Sequence, residues 1–348
     1  MPDTVLDIFR NDAFTVASLR TMVDDVPYVP QALGAMGLFE DDPITTIGIE
    51  IYLNRQTQTL IPTTVRGAPE PLPTRDNSEI RYLRTTRLAK RDRINSHEVQ
   101  DIVNAVMAGN NNIALRRAAD EVVRRMQKLK NEMELTKEYH RLGALQGLLL
   151  DADGTTVIRN YFTEFGVTAP VDITVDFANI AEEDILTYFQ DTFLRPMLRV
   201  LKDRKTPGTR IMAMVGDTFW SKLTRHPGVR KTYIYSQDGA RLREANAWQS
   251  FEFAGITWWN YMGTDDGTTI AIPSNGARFF PVGARDVFKV YWSPGESWDD
   301  VNTLGRPSYP VIQPDPETQK NEWVDILLRC YPLYACLFPA ALMKAHSA

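Results

Sequence analysis

An α+β fold is what this sequence predicts, and three observations carry the prediction. A long amphipathic helix is written across residues 112–142. Several short segments alternate apolar and polar residues with a period of two, the pattern of half-buried strands. Helices and strands are mixed without the regular strand–helix–strand repeat that a doubly wound sheet needs. The 348 residues, 43% hydrophobic and 24% charged, suffice for a substantial core, and the length suggests roughly two domains of ordinary size.

Residues 1–44 open with a short amphipathic stretch (Phe14, Leu19, Met22, Val23) and then VPYVP, where Pro27 and Pro30 break any helix. This predicts an extended arm with little core of its own. In TTIGIEIYL, Ile47, Ile49, Ile51 and Leu53 alternate with Gly48, Glu50 and Tyr52, a strand; NRQTQ turns the chain and TLIPTTV returns it. RGAPEPLPTRDN is too polar and proline-rich to pack. EIRYLRTTRLAKRDRI begins with alternation and ends in basic residues. Residues 45–95 thus form a long two-stranded excursion. A lone ribbon of this kind is marginal in water, so it is expected to lie against something else, such as another subunit.

In the helix, Leu115, Ala119, Val122, Met126, Leu129 and Met133 recur at steps of three and four, and Asn110 to Asn112 can cap its start. Bases (Arg116, Arg117, Arg124, Arg125, Lys128, Lys130) interleave with acids on its polar side, as on a solvated face. The helix is expected to end near Gly143. Beyond it, DITVDF is a strand, EEDILTYFQDTFLRPMLRVL a helix broken by Pro196, and RIMAMVGD a buried strand. WQSFEFAGITWWNYMG is a hairpin with Phe251, Phe253 and Trp258 inward, and TTIAIPS, ARFFPVG and DVFKVYW are short strands.

Composition excludes several classes. A net charge of −5 and an isoelectric point near 5.5 do not suit an electrostatic binder of nucleic acid. The N-terminal MPDTVLDIFRNDAF has acids where a signal peptide needs a basic flank. The apolar run 323–343 contains Asp325, Arg329, Pro332 and Pro339, which reads as buried strands and not a membrane span. Cys330 and Cys336, six apart, are expected on one face of one strand and too far apart to bridge, which fits reduced, intracellular folding. The four histidines lack ligand spacing, so neither a metal nor any other cofactor is expected.

One stretch invites a catalytic reading. In LLLDADGTT, Asp151 and Asp153 stand as the nucleophile and the acid–base of haloacid-dehalogenase-type phosphatases would, with Lys202 or Lys205 to neutralise phosphoryl oxygens and Asp217 for magnesium. The acid wanted soon after Asp217 is missing, and Ser221 stands there. The competing reading is a β-hairpin turned by Asp153-Gly154, with Leu148 and Leu150 alternating before it and Val157 and Tyr161 beyond. A soluble oligomeric binding protein is a third possibility.

Several stretches together resemble the lambda-like tailed-phage major capsid proteins, the major capsid protein E family. These are VPYVPQALGAMGLFE, IPTTVRGAP, EYHRLGALQGLLLDADGTTVIRNYFTEFGV, FFPVGARDVFKVYWSPGESWDDVNTLGRPSY and DILLRCYPLYACLFPAAL, in the family's order across nearly the whole chain. The resemblance implies a Hong Kong 97-like fold. Residues 1–44 would be an N-terminal arm, 45–95 an extended loop, 96–180 a peripheral domain with spine helix 112–142, 181–320 an axial domain, and 321–348 closing strands returning to the peripheral domain. It implies a non-enzymatic subunit of an icosahedral head, assembled as hexamers and pentamers in the host cytoplasm, with no membrane. Separate scaffold, portal and decoration proteins would be its partners, and packaged double-stranded DNA would be touched non-specifically, as an acidic container allows. Arg66, Arg75, Arg81, Arg84 and Arg87, with Arg116 and Arg124 on the helix, would pair with a neighbour's carboxylates. Some relatives weld subunits through a loop lysine. Residues 45–89 contain none, so no such cross-link is expected. The arm begins almost at once, which predicts a scaffold encoded separately.

Overall fold

The structure, a computed structural model, describes residues 32–54, 78–98, 111–234, 250–261, 272–314 and 322–348. The chain enters with a short helix, α1 (Ala32–Ala35), and strand β1 (Glu40–Pro43). Leu33 is buried in the main core, so this end of the predicted arm is docked on the body; residues 1–31 lie outside the described residues. Strands β2 (Gly48–Asn54) and β3 (Ser78–Arg84) form an antiparallel ribbon with Ile49 opposite Leu83. The predicted returning strand TLIPTTV falls outside the described residues, and the described partner of β2 is β3. Strand β4 (Leu88–Asn95) follows.

Helix α2 (Asn111–Gln146) has 36 residues, a rod about 54 Å long at about 1.5 Å per residue. The predicted stripe is buried where side chains are described: Val122, Met126, Leu129 and Met133. The side chains of Leu115 and Ala119 and the cap at Asn110 to Asn112 fall outside the description. The helix does not end at Gly143, which stays helical against the backbone of Leu148 and Leu149. It ends where Gly147 turns left-handed (φ +75°), a conformation open to glycine. Any side chain at Gly147 would also collide with the ring of Phe162.

The hairpin β5 (Leu148–Leu150) and β6 (Val157–Asn160) leads to a single turn, α3 (Tyr161–Glu164), capped by the Asn160 side chain. Strand β7 (Asp172–Val175) comes next. Pro196 does not break the following helix. Helix α4 (Ile185–Phe189) passes through a π-helical turn (Gln190–Leu194) into α5 (Arg195–Leu201). A wider turn accommodates a proline that has no N–H to give. Phe189, Phe193, Met197 and Leu201 thereby remain one buried stripe.

The remaining elements are β8 (Arg210–Val215), α6 (Asp217–Arg225), α7 (Pro227–Ile234), β9 (Phe251–Phe253), β10 (Ile256–Asn260), β11 (Gly276–Val282), β12 (Phe288–Trp292), β13 (Tyr309–Pro314), β14 (Trp323–Cys330), β15 (Pro332–Cys336) and β16 (Met343–Ser347). Most of the predicted strand TTIAIPS lies outside the described residues. Six strands make one mixed sheet in the order β7-β16-β11-β8-β10-β9. Its core is aromatic: Phe193 stacks on Phe279 at 4.1 Å, and Phe189 meets Trp258 edge-on at 4.9 Å. Of the hairpin residues predicted inward, Phe253 and Trp258 are buried, whereas Phe251 is half-buried against Trp220. A second, smaller core lies between α2 and the sheet β13-β14-β4, where Ile94, Val324, Ile326, Leu328 and Cys330 meet the apolar stripe of the helix.

One expectation is corrected here. Cys330 and Cys336 end two successive strands, because the run is interrupted at Tyr331; both thiols are free and buried, and burial raises each to about 12. The last three strands join three different sheets. Strand β14 joins the sheet beside α2, β15 pairs with β12, and β16 runs in the six-stranded sheet. A 3-10 turn at Pro339–Ala341 separates the last two. Likewise β7, before residue 180, belongs to the six-stranded sheet, and β13, before residue 320, to the sheet beside α2.

Candidate assembly surfaces

The ribbon is two-faced because its residues alternate. Leu83 is buried and Ile49 and Ile51 are half-buried on the inner face. On the outer face Ile80 and Tyr82 are 56% and 52% exposed, with the Arg84 guanidinium 6.0 Å from the Tyr82 ring. Ile47, just before the ribbon, is 70% exposed. Beside the ribbon lies a groove of about 520 Å³ lined by residues of both faces, among them Asp42, Ile44, Ile49, Ile51, Tyr82 and Tyr291. Exposed apolar residues grouped on a protruding element are a signature of contact surfaces.

Charged groups fasten the elements that carry this ribbon. Arg125 of α2 bonds to Glu121 (2.8 Å), to the carbonyl of Arg93 (2.7 Å) and to Glu98, tying the helix to β4 and the turn after it. The carboxyl of Glu121 falls to about 2, first through its bond from Arg124, and burial opposes that shift. Asp325, 1% exposed, is held by Arg93 at 2.8 Å and by Arg91 at 3.4 Å, and Arg93 stacks over Trp323.

The upper half of α2 carries what sequence reasoning missed. Following the apolar stripe past Met133 leads to Lys137 and His140, both buried, with Glu138 beside them at 0% exposure. Lys137 bonds to Glu134 at 2.8 Å and faces the Trp292 ring; Arg141 bonds to Glu138 at 3.3 Å and faces the Tyr334 ring. Glu138 accepts the backbone N–H of Leu33 (2.5 Å) and of Gly34 (3.1 Å), so one buried carboxylate pins α1 to the long helix. Burial raises the Glu138 pKa despite these donors. Burial also lowers His140 to about 4, against a weaker pull from Asp151, so it is neutral at pH 7. The signal was present in the phase of the stripe, which charges occupy without changing step.

The predicted inter-subunit arginines are not gathered in one place. Arg87 reaches Glu296 at 2.7 Å, and Arg124 makes a two-pronged bond to Glu121; both are engaged within their own chain. Arg81 and Arg84 lie on the ribbon. Arg66 and Arg75 are outside the described residues, and Arg116 is described only as helical backbone.

The Asp151–Gly154 stretch is a hairpin turn. Asp151 N–H bonds across to Thr156, Gly154 N–H bonds back to Asp151, and Gly154 is left-handed (φ +69°). Asp153 accepts the backbone N–H groups of Thr155 and Thr156 at 2.9 and 2.8 Å and the Thr156 hydroxyl at 2.6 Å, and those three bonds hold its carboxyl well below the usual range. Its lone pairs are spent on the turn, so it is poorly placed to act as acid and base. Asp217 begins α6 after the six-stranded sheet, where it accepts from Asn260 at 3.0 Å, while Asp151 is on the separate two-stranded hairpin. Among the described residues, no group of three or more His, Cys, Asp and Glu side chains is placed to hold a metal ion, and no helix is long and apolar enough to cross a membrane.

Comparison with known proteins supplies the family. The major capsid protein of Salmonella phage Felix O1 is 23% identical over 96% of both chains. That of Pseudomonas phage KPP10 is 25% identical over 208 residues, 54% of this chain and 56% of its own. Among solved structures, a prophage capsid protein from E. coli CFT073 superposes with a TM-score of 0.58 at 12% identity, covering 96% of this chain and 99% of that one. The capsid of phage XM1 gives 0.50 at 9% identity over 94% and 95%. These structural likenesses show the α+β capsid fold that the resemblance implied. The profile of the family described as phage major capsid protein E matches residues 15–347. The chain therefore belongs to the phage major capsid protein E family and is a structural protein of a tailed-phage capsid.

Proposed function

We propose that this chain builds its shell by exchanging peripheral segments between copies and performs no catalysis. The observation that carries this reading is the ribbon β2–β3, whose outer face exposes Ile80 and Tyr82 on an element too slight to be stable alone. A neighbouring copy covers that face, and Arg84, which alternates onto it with Ile80 and Tyr82, meets a carboxylate there. The long helix with the sheet β13-β14-β4 forms the peripheral part, and the six-stranded sheet forms the axial part. Pentamers and hexamers assemble in the host cytoplasm with separate scaffold and portal proteins, a decoration protein joins the outside, and double-stranded DNA is contained without tight adhesion. Mature particles are held without a covalent weld from residues 45–89, which have no lysine. The test is the double change Ile80→Asp and Tyr82→Asp. The expected result is a folded chain, by circular dichroism, that yields no particles under negative stain. Shells at the parent's yield contradict the reading.

A further inference from the structure

The most exposed large apolar residue described is not on the ribbon. Trp298 is 94% exposed, with Val301 at 63% and Leu304 at 58%, all on the segment between β12 and β13. The segment is built to hold that shape. Ser293 donates its hydroxyl to the Thr46 carbonyl, Gly305 N–H bonds to Ile44 at 2.9 Å, and Arg87 clasps Glu296 at 2.7 Å. Inside it, Asp300 N–H returns to Ser297 at 3.0 Å and Thr303 to Asp300 at 3.2 Å. A tryptophan presented on a pinned loop contributes nothing to its own core.

We infer that the loop Glu296–Leu304 docks on a second copy of this chain, with Trp298 seated against the arginine-bearing face of that copy's sheet β13-β14-β4. This rests on the shell reading and assigns one contact within it. Area argues for a copy in a shell and against a lone dimer. Three such side chains offer on the order of 400 Å² of apolar surface, about half of the roughly 800 Å² that each partner brings to a stable interface. Such a contact holds only when repeated alongside others, as in a closed assembly. Charge argues for the receptor. ESWDDVNTL carries Glu296, Asp299 and Asp300 and no base. Strand alternation turns Ile326, Leu328 and Cys330 of β14 toward α2, so Leu327 and Arg329 look the other way, in register with Arg91 and Ala89 of β4. Arg329 has a buried Nε with no hydrogen-bond partner. An indole flanked by acids fits a face of arginine and leucine through stacking and charge. Loop and receptor also lie close together on one chain, since Glu296 bonds at 2.7 Å to Arg87, the residue immediately before β4. A symmetry axis passing near this edge would bring one copy's loop onto the next copy's face.

The test uses the full chain under conditions where the parent forms shells. Trp298→Ala should melt as the parent does and give at least tenfold fewer particles, and Trp298→Phe should recover part of the yield. Separately prepared Ser297→Cys and Ala89→Cys chains, mixed, assembled and treated with a short bismaleimide, should give a covalent dimer on a denaturing gel. Cys330 and Cys336 are buried and do not compete. Normal shells from Trp298→Ala, or shells from the mixture without a dimer band, overturn the inference. A parent that forms no shells counts against the shell reading itself, and this contact falls with it.

Discussion

The two halves of the long helix do different jobs with the same backbone. From Val122 to Met133 it buries an apolar stripe against β4 and β14. From Glu134 to Arg141 the same face buries ion pairs and a neutral histidine, and one carboxylate of that group grips the incoming chain at Leu33 and Gly34. The apolar half gains from area removed from water and tolerates some repacking. The charged half gains little net stability from its pairs but fixes one partner in one place, because a buried charge left without its counter-charge is severely penalised. Attachment by area suits a permanent sheet; attachment by a single carboxylate suits an end segment that must find one seat.

The comparison breaks most clearly at Glu138. Glu138→Ala should cost about 3–5 kcal/mol, the range for stripping one partner from a buried pair, and should release residues 32–34 to proteases. Met126→Ala should cost about 2–5 kcal/mol through the cavity it leaves, with the N-terminal segment still protected. Thermal melts and limited proteolysis of the two variants check both halves at once. Equal protease sensitivity would mean that the carboxylate is not the anchor.

Acid sharpens the contrast. The unfolded chain protonates His140 below about pH 6.5, but the folded chain resists until about 4. The unfolded state therefore binds more protons in that window, and stability falls as pH drops through it, by at most about 1.4 kcal/mol per pH unit for one site. Glu138, raised by burial, works the other way, since its folded form takes up a proton first and offsets part of the loss. His140→Leu should flatten the slope between pH 6.5 and 4 in denaturant titrations, whatever its offset at pH 7. In the apolar half, Glu121 keeps its stabilising charge above about 4.5 and loses it only as pH falls toward 2, so its part of the curve should be unchanged in that variant.

The smallest effect belongs to Arg124. Its side chain is 74% exposed and its pair with Glu121 is a surface pair. Arg124→Ala should leave the melting temperature of the unassembled chain unchanged within error. A lower yield of particles from that variant would assign the residue to a neighbour.

Legibility in the sequence followed the same divide. The ribbon strands, the apolar stripe and the Asp-Gly turn were readable because period, spacing and turn chemistry are local properties. The buried Lys137, Glu138 and His140 were not, since their partners (Leu33, Pro307 and the rings of Trp292 and Tyr334) come from distant parts of the chain. Pro196 misled because a π turn spares the helix. Which sheet each closing strand joins was not readable, because pairing across three sheets is decided by tertiary contacts. Trp298 carries no local mark of its own, because its exposure is decided by how the segment between β12 and β13 is pinned.

The most direct measurement is electron microscopy of the purified full chain, alone and with the head proteins of its own phage, paired with a phosphate-release assay on the same material. The account predicts closed shells, no turnover, and an Asp151→Asn variant that assembles like the parent. A small closed oligomer that releases phosphate, and stops doing so in Asp151→Asn, would contradict it.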